Sequence, residues 1–236
     1  MTQQRQANNY DVLKCVALVA MTLDHISFFL MQDVEWLRIL GRAAAPLFLV
    51  LVGYNASFRF RITLLVAAII VTLLDGFIMG MWVPQSILWT ILIARMVLSY
   101  AVPKFRPFEI TMVAAAFIPI TAQFLDFGSF AILFGLVGYR LRQGRDEFTA
   151  LLLGASLLLF YGWTCSIILP ESTASQMIAV AIMFVALAAV IWRTDYLAPV
   201  RIAPRFIALF SASALYYYVA HKAVLELMAH GLKGSV

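Results

Sequence analysis

Residues 12–31 read VLKCVALVAMTLDHISFFLM, an apolar stretch long enough to cross a bilayer, with Asp24 and His25 side by side deep inside it. A hydrocarbon core takes roughly 20 residues per helix. Ionisable side chains at that depth cost several kcal/mol on insertion scales, so they mark functional sites by default. The reading of the chain turns on whether other polar residues reach the same level.

Composition places the chain among polytopic membrane proteins. Of its 236 residues, 64% are hydrophobic and only 12% are charged, and the mean hydropathy is +0.93, far above a soluble domain of this length. The whole chain, 1–236, reads as a single integral membrane domain of all-α class. Nine helices are expected, near 11–32, 37–57, 61–81, 86–102, 108–124, 128–142, 147–169, 175–193 and 206–229. The first follows a short polar leader, exceeds a signal-peptide core and lacks a small-x-small cleavage site, so it is expected to be retained as an anchor.

Orientation follows from the connections. Arg5 lies in the leader; Arg59 and Arg61 follow the second helix, Lys104 and Arg106 the fourth, Arg140, Arg142 and Arg145 the sixth, and Arg193, Arg201 and Arg205 the eighth. The other connections hold Asp33, Glu35, Arg38, Asp126 and Glu171. The positive-inside rule then puts the amino terminus in the cytoplasm. Trp36, Trp82, Trp89 and Trp163 fall near the outer ends of their helices, and Tyr10, Tyr54, Tyr100, Tyr139 and Trp192 near the inner ends, as interfacial anchors do. The net charge of +5 reflects cytoplasmic anchoring, and no nucleic-acid partner is expected.

With a rise of about 1.5 Å per residue, Asp24, His25, Arg42, Asp75, His221 and Lys222 are expected at one depth, in the outer third of the membrane. Neighbouring residues differ by about 100° around a helix axis, so Asp24 cannot orient His25 and needs a partner on another helix. Arg42 suits it, because a guanidinium can clamp a carboxylate. His25 shares a face with Asp11, Lys14, Leu18 and Thr22, a polar stripe suited to a cavity or substrate path. Each residue also has a structural reading: an intramembrane histidine often serves as an interhelical hydrogen bonder, and an Arg–Asp pair as architecture. Pro46 removes a backbone donor and is read as a kink near Arg42.

Other chemistry is absent from the sequence. There is no Walker A loop, no G-x-G-x-x-G fingerprint and no G-x-S-x-G elbow. Histidines at 25, 221 and 230 lack H-E-x-x-H spacing, so no metal site is expected. Cys15 and Cys165 lie at different depths, which disfavours a disulfide.

The string LKCVALVAMTLDHISFF, followed by LRILGRAAAPLFLVLVGYN, resembles the first two helices of the TraX family of conjugative pilin acetyltransferases. Lys14, Asp24, His25, Gly41, Arg42, Pro46 and Phe48 match its K-x-x-A-x-x-x-M-x-x-D-H-I and G-R-x-A-x-P-L-F patterns. The last helix, with Tyr216, Tyr217, Tyr218 and His221, is similar to the family's aromatic segment ending in histidine, though Tyr218-Val219-Ala220-His221 lacks its proline. The middle of the chain matches only in hydropathy. The family is distantly similar to type 3 membrane acyltransferases.

The resemblance implies acetyl transfer from acetyl-CoA to the amino terminus of a pilin subunit in the bacterial inner membrane. His25 is then expected as general base, with Asp24, Arg42 and His221 completing the catalytic set; Lys14, Arg59 and Arg61 are expected to attract the CoA phosphates, and membrane lipid surrounds the whole. Two other classes would use a similar layer of residues: an O-acyltransferase acting on envelope glycan or lipid, and a proton-coupled carrier. Against the carrier, neither an internal repeat nor broken helices at matched positions are visible.

Overall fold

In a computed structural model of the chain, residues 6–31, 34–55, 60–83, 85–169, 171 and 173–233 are described. These form twelve α-helices: α1 (Asn9–Phe29), α2 (Glu35–Gly41), α3 (Ala44–Tyr54), α4 (Ile62–Met79), α5 (Ile87–Ala101), α6 (Pro107–Ala116), α7 (Ile118–Thr121), α8 (Phe130–Gln143), α9 (Glu147–Trp163), α10 (Ala174–Arg193), α11 (Pro204–Ala212) and α12 (Ala214–Lys233). A π-helical turn, Thr164–Ile168, extends α9. No strand is assigned among these residues; only two isolated bridges join connecting segments.

The helical class agrees with the sequence reading, but three of the nine expected helices are broken. The second divides at Arg42–Ala43 into α2 and α3, where Pro46 cannot donate to the preceding turn. The fifth divides at Phe117, two residues before Pro119, into α6 and α7. The ninth divides at Ser213 into α11 and α12. Among the described residues, five helical segments are long and apolar enough to cross a membrane: Asn9–Phe29, Trp36–Tyr54 through its kink, Ile62–Met79, Glu147–Ile167 and Ala174–Arg193. Ile87–Ala101 and Pro107–Ala116 are apolar but shorter. The protein is therefore a membrane protein; among the described residues, five of the nine expected helices have full spanning length and hydropathy.

The α3–α8 pair lies at the centre. Most residues of both helices are buried, Phe130, Phe134, Leu49 and Val50 among them. Their backbones approach closely because glycines face the contact. A Cβ on Gly53 would meet the Gly135 backbone, and one on Gly138 would sit 2.7 Å from Tyr54 N. Small residues at a crossing are how membrane helices gain packing contacts where lipid offers no hydrophobic gain. The outward faces are apolar and exposed, as at Phe77, Leu151, Leu158 and Val185. That inversion of ordinary surface chemistry is what a lipid solvent requires.

Helix α1 is fastened at both ends. Asn8 and Asp11 form a reciprocal capping box at its start. The Tyr10 and Asn9 amides donate to the carbonyls of Tyr196 (3.0 Å) and Ala198 (3.1 Å), stitching the first residues to the α10–α11 connection. Farther along, Gly41 lets α2 lie directly against α1, since a Cβ there would stand 2.7 Å from Asp24 Cα. This approach brings Arg42 within reach of Asp24.

Candidate functional site

The residues expected at one depth do converge. A cavity of about 340 Å³ is lined by Asp24, His25, Arg42, Asp75, Asp126 and Lys222, among others. Phe28, Phe29, Phe48, Phe127 and Tyr218 supply much of its apolar wall. Its size and aromatic walls are those of small-molecule sites, and its lining is rich in ionisable side chains.

Two buried ion pairs frame the cavity. Arg42 Nη2 donates to Asp24 Oδ1 across the α1–α2 contact. Arg42 Nε is buried and bonded to none of the described residues. On the facing side, Lys222 of α12 stands 2.7 Å from Asp75 Oδ1 on α4 and 3.4 Å from Glu226 Oε1 one turn along its own helix. Glu226 is fully buried. Breaking such a pair by removing one partner costs about 3–5 kcal/mol, because the other charge is left uncompensated.

His25 and His221 meet edge to edge: His25 Nδ1 is 2.8 Å from His221 Nε2. His221 Nδ1 lies 2.9 Å from the Tyr217 carbonyl oxygen. A carbonyl can only accept, so His221 Nδ1 carries a proton. In the neutral pair His221 Nε2 then accepts, and His25 Nδ1 donates to it. The tautomer of His25 is thereby set with Nε2 unprotonated. His25 lines the cavity and His221 does not, so Nε2 is the ring nitrogen left for chemistry there.

The polar stripe below His25 is closed by packing. Thr22 Oγ1 is 2.8 Å from the Tyr217 hydroxyl and bonds to the Leu18 carbonyl. Lys14 Nζ donates to the Ser211 carbonyl at 2.5 Å, and Ser211 Oγ to Asp11 Oδ1 at 2.7 Å. This stripe is the seam along which α11 and α12 pack on α1. Lys14 therefore lies in the seam, away from the cavity lining. Arg61 is exposed at the start of α4, and Arg59 lies outside the described residues.

The sequence reading does not assign Glu226, Arg95 or Asp126 to the site or the core; it takes Asp126, like Arg38, which also lines the cavity, only as a charge of the outer connections. Glu226 follows Lys222 by four residues, a spacing that places both on one face of α12 and could have disclosed it. Arg95 of α5 is buried, and its charge interacts with that of Arg61; it was visible as an arginine inside an apolar helix. Asp126 enters the cavity from a connecting segment, where no helical periodicity exists to locate it.

That segment is held firmly. Gln85 accepts the Asp126 amide and donates its own amide to the Phe124 carbonyl, both at 2.8 Å. Thr90 Oγ1 donates to the Asp126 carbonyl at 2.5 Å. The Gln85 side chain is tied in turn to Thr72 Oγ1 at 2.7 Å. Phe127 takes a positive φ of 64° and Gly128 one of 42°. A phenylalanine in the left-handed region is costly and persists only where its surroundings over-determine it.

With that arrangement in view, the family described as TraX protein matches residues 9–229. The chain belongs to the TraX family. Among curated relatives, Protein TraX of Escherichia coli is 30% identical over 156 residues, which cover 63% of this chain and 62% of that protein. Protein TraX of Escherichia coli strain K12 gives the same figures. A Rickettsia prowazekii (strain Madrid E) protein described as "Uncharacterized protein RP591" is 26% identical over 141 residues, 58% of this chain and 57% of its own length. The match thus spans about three fifths of these TraX relatives. No solved structure matches.

Proposed function

We propose that this TraX-family protein transfers an acetyl group from acetyl-CoA to the amino terminus of a conjugative pilin subunit, within the bacterial inner membrane and with its own amino terminus in the cytoplasm. The observation that carries this reading is the His25–His221 pair, which leaves His25 Nε2 unprotonated in a cavity beside the Arg42 guanidinium. Acyl transfer to an amine needs a base for the N–H proton and a donor for the developing oxyanion. His25 supplies the first. Arg42 supplies the second, with Asp24 occupying only one of its N–H groups and fixing its direction.

His221 is a positioning residue in this scheme: it holds the imidazole of His25 and touches no reacting atom. The aromatic wall excludes water, which protects the thioester from hydrolysis. Lys14, Arg59 and Arg61 remain proposed contacts for the CoA phosphates at the cytoplasmic end. The cavity of about 340 Å³ suits the acetyl-bearing end of the donor and a chain terminus together, with the nucleotide outside.

The test is intact-mass analysis of pilin coexpressed with wild type or with His25→Ala, at equal membrane abundance by immunoblot. A single acetyl gain at the pilin amino terminus with wild type alone is the expected result. Unmodified pilin in both strains would overturn the substrate; acetylated pilin in both would overturn the role of His25.

A further inference from the structure

Three carboxylates line the cavity, and two of them are neutralised in place. Asp24 is held by Arg42, and Asp75 by Lys222. Lys222 is shared with Glu226 as well, so it has no charge to spare. Asp126 is different: the hydrogen bonds it makes run through its backbone, to Gln85 and Thr90. Its carboxylate forms no hydrogen bond or ion pair with the described residues. The fields of Lys222 and Arg42 reach it, offset by those of Asp75 and Asp24. The connecting segment nevertheless holds this residue at the cavity, clipped on both sides by Gln85 and carrying a strained Phe127.

Asp126 is half-buried in the cavity lining; a carboxylate in an aromatic-walled cavity with no ion-pair partner is costly, and strain beside it adds to that cost. Both are explained if a cation completes the site during turnover. From the juxtaposition of an unpaired Asp126 with His25 in one cavity, we infer that Asp126 docks the positively charged amino group of the acceptor and so selects amine over hydroxyl acceptors. This rests on the acetyl-transfer reading and adds the residue that recognises the acceptor.

Proton accounting agrees. An ammonium acceptor must shed two protons and a hydroxyl only one. The ammonium passes the first to Asp126. The free amine then attacks the thioester carbonyl carbon, the C–N bond forms as the C–S bond breaks, and His25 Nε2 takes the second proton. His25 returns that proton to the departing thiolate, giving CoA as the thiol. The proton on Asp126 is the one released, so one acetyl-CoA and one ammonium yield one amide, one CoA and one proton.

The experiment uses the full-length protein in lipid vesicles with labelled acetyl-CoA and a synthetic peptide of the pilin amino-terminal segment. Asp126→Asn should raise the peptide KM at least tenfold and leave the acetyl-CoA KM within twofold, and Asp126→Glu should recover part of the loss. A second measurement needs only wild type. A peptide whose terminal nitrogen is trimethylated should compete with the substrate peptide, and one ending in a neutral hydroxyl should not. An unchanged peptide KM in Asp126→Asn, or equal competition by the two analogues, would overturn the inference while transfer by wild type stood. Absence of transfer by wild type would instead remove the acetyl-transfer reading beneath it.

Discussion

His25 on α1 and His221 on α12 lie nearly coplanar, edge to edge, with ring centroids 5.0 Å apart and a 2.8 Å hydrogen bond between Nδ1 and Nε2. The link joins two helices 196 residues apart in sequence, and it hands the backbone preference of Tyr217 to the imidazole at the cavity.

Replacing the two histidines should therefore give different losses. His25→Ala removes the base, and kcat should fall about 10²–10⁴-fold. His221→Phe keeps the base and an aromatic ring at position 221 but removes the acceptor that fixes the tautomer, so kcat should fall by less than with His25→Ala, with both KM values little changed. Steady-state kinetics in vesicles separates these outcomes; equal losses would make His221 a direct participant.

The Asp24–Arg42 pair should behave as a unit. Arg42→Gln leaves a buried carboxylate unpaired and should destabilise the fold by about 3–5 kcal/mol. Adding Asp24→Asn removes the orphaned charge and should restore most of the stability without restoring transfer. Denaturant unfolding in detergent, read beside activity, would show whether the two effects separate; a double variant no more stable than Arg42→Gln alone would contradict the pairing argument.

Much of this arrangement was legible in the sequence. Asp24, His25, Asp75, His221 and Lys222 sit inside long helices, where a constant rise converts residue number into depth. Arg42 was legible in the same way, little more than one turn into the second helix, and as the cation suited to Asp24. Asp126 was not, because a connecting segment has no period and its placement depends on Gln85 and Thr90, distant in sequence. The polar stripe of α1 was read with the right residues and the wrong neighbour. Helical geometry shows that Asp11, Lys14 and Thr22 share a face, but only tertiary packing decides that α11 and α12, rather than a substrate path, lie against it.

The glycines offer a test of packing. Gly53→Ala and Gly138→Ala should each cost about 1–3 kcal/mol, since a new methyl meets backbone across the α3–α8 contact and the helices must separate. Gly154→Ala, with nothing within 4 Å of the added carbon, should be neutral or slightly stabilising through helix propensity. Thermal unfolding of the three variants in one detergent gives the comparison, and equal effects would contradict the close crossing.

The start of α9 allows a pH test in a region outside the long spans. Asp146 Oδ1 accepts from the Thr149 amide at 2.8 Å and from Thr149 Oγ1 at 2.5 Å, while Oδ2 accepts from Arg140 Nη2. The two Thr149 hydrogen bonds, with Arg140 a smaller contributor, hold this carboxyl below the usual carboxylate range. A carboxyl depressed in the folded state binds its proton more readily once unfolded, so its contribution is fully present above the unfolded value and is lost as pH falls through the folded one. Asp146→Ala should therefore lower the unfolding midpoint at pH 7, and its deficit should shrink as pH drops below about 4. Asp146→Asn, which retains a capping oxygen, should lose less. Because hydrogen bonds dominate, the Asp146→Ala deficit should largely survive high salt, whereas any deficit of Arg140→Gln should be screened away. A deficit in Asp146→Ala that vanished with salt would mean that Arg140, rather than the Thr149 cap, holds this helix start.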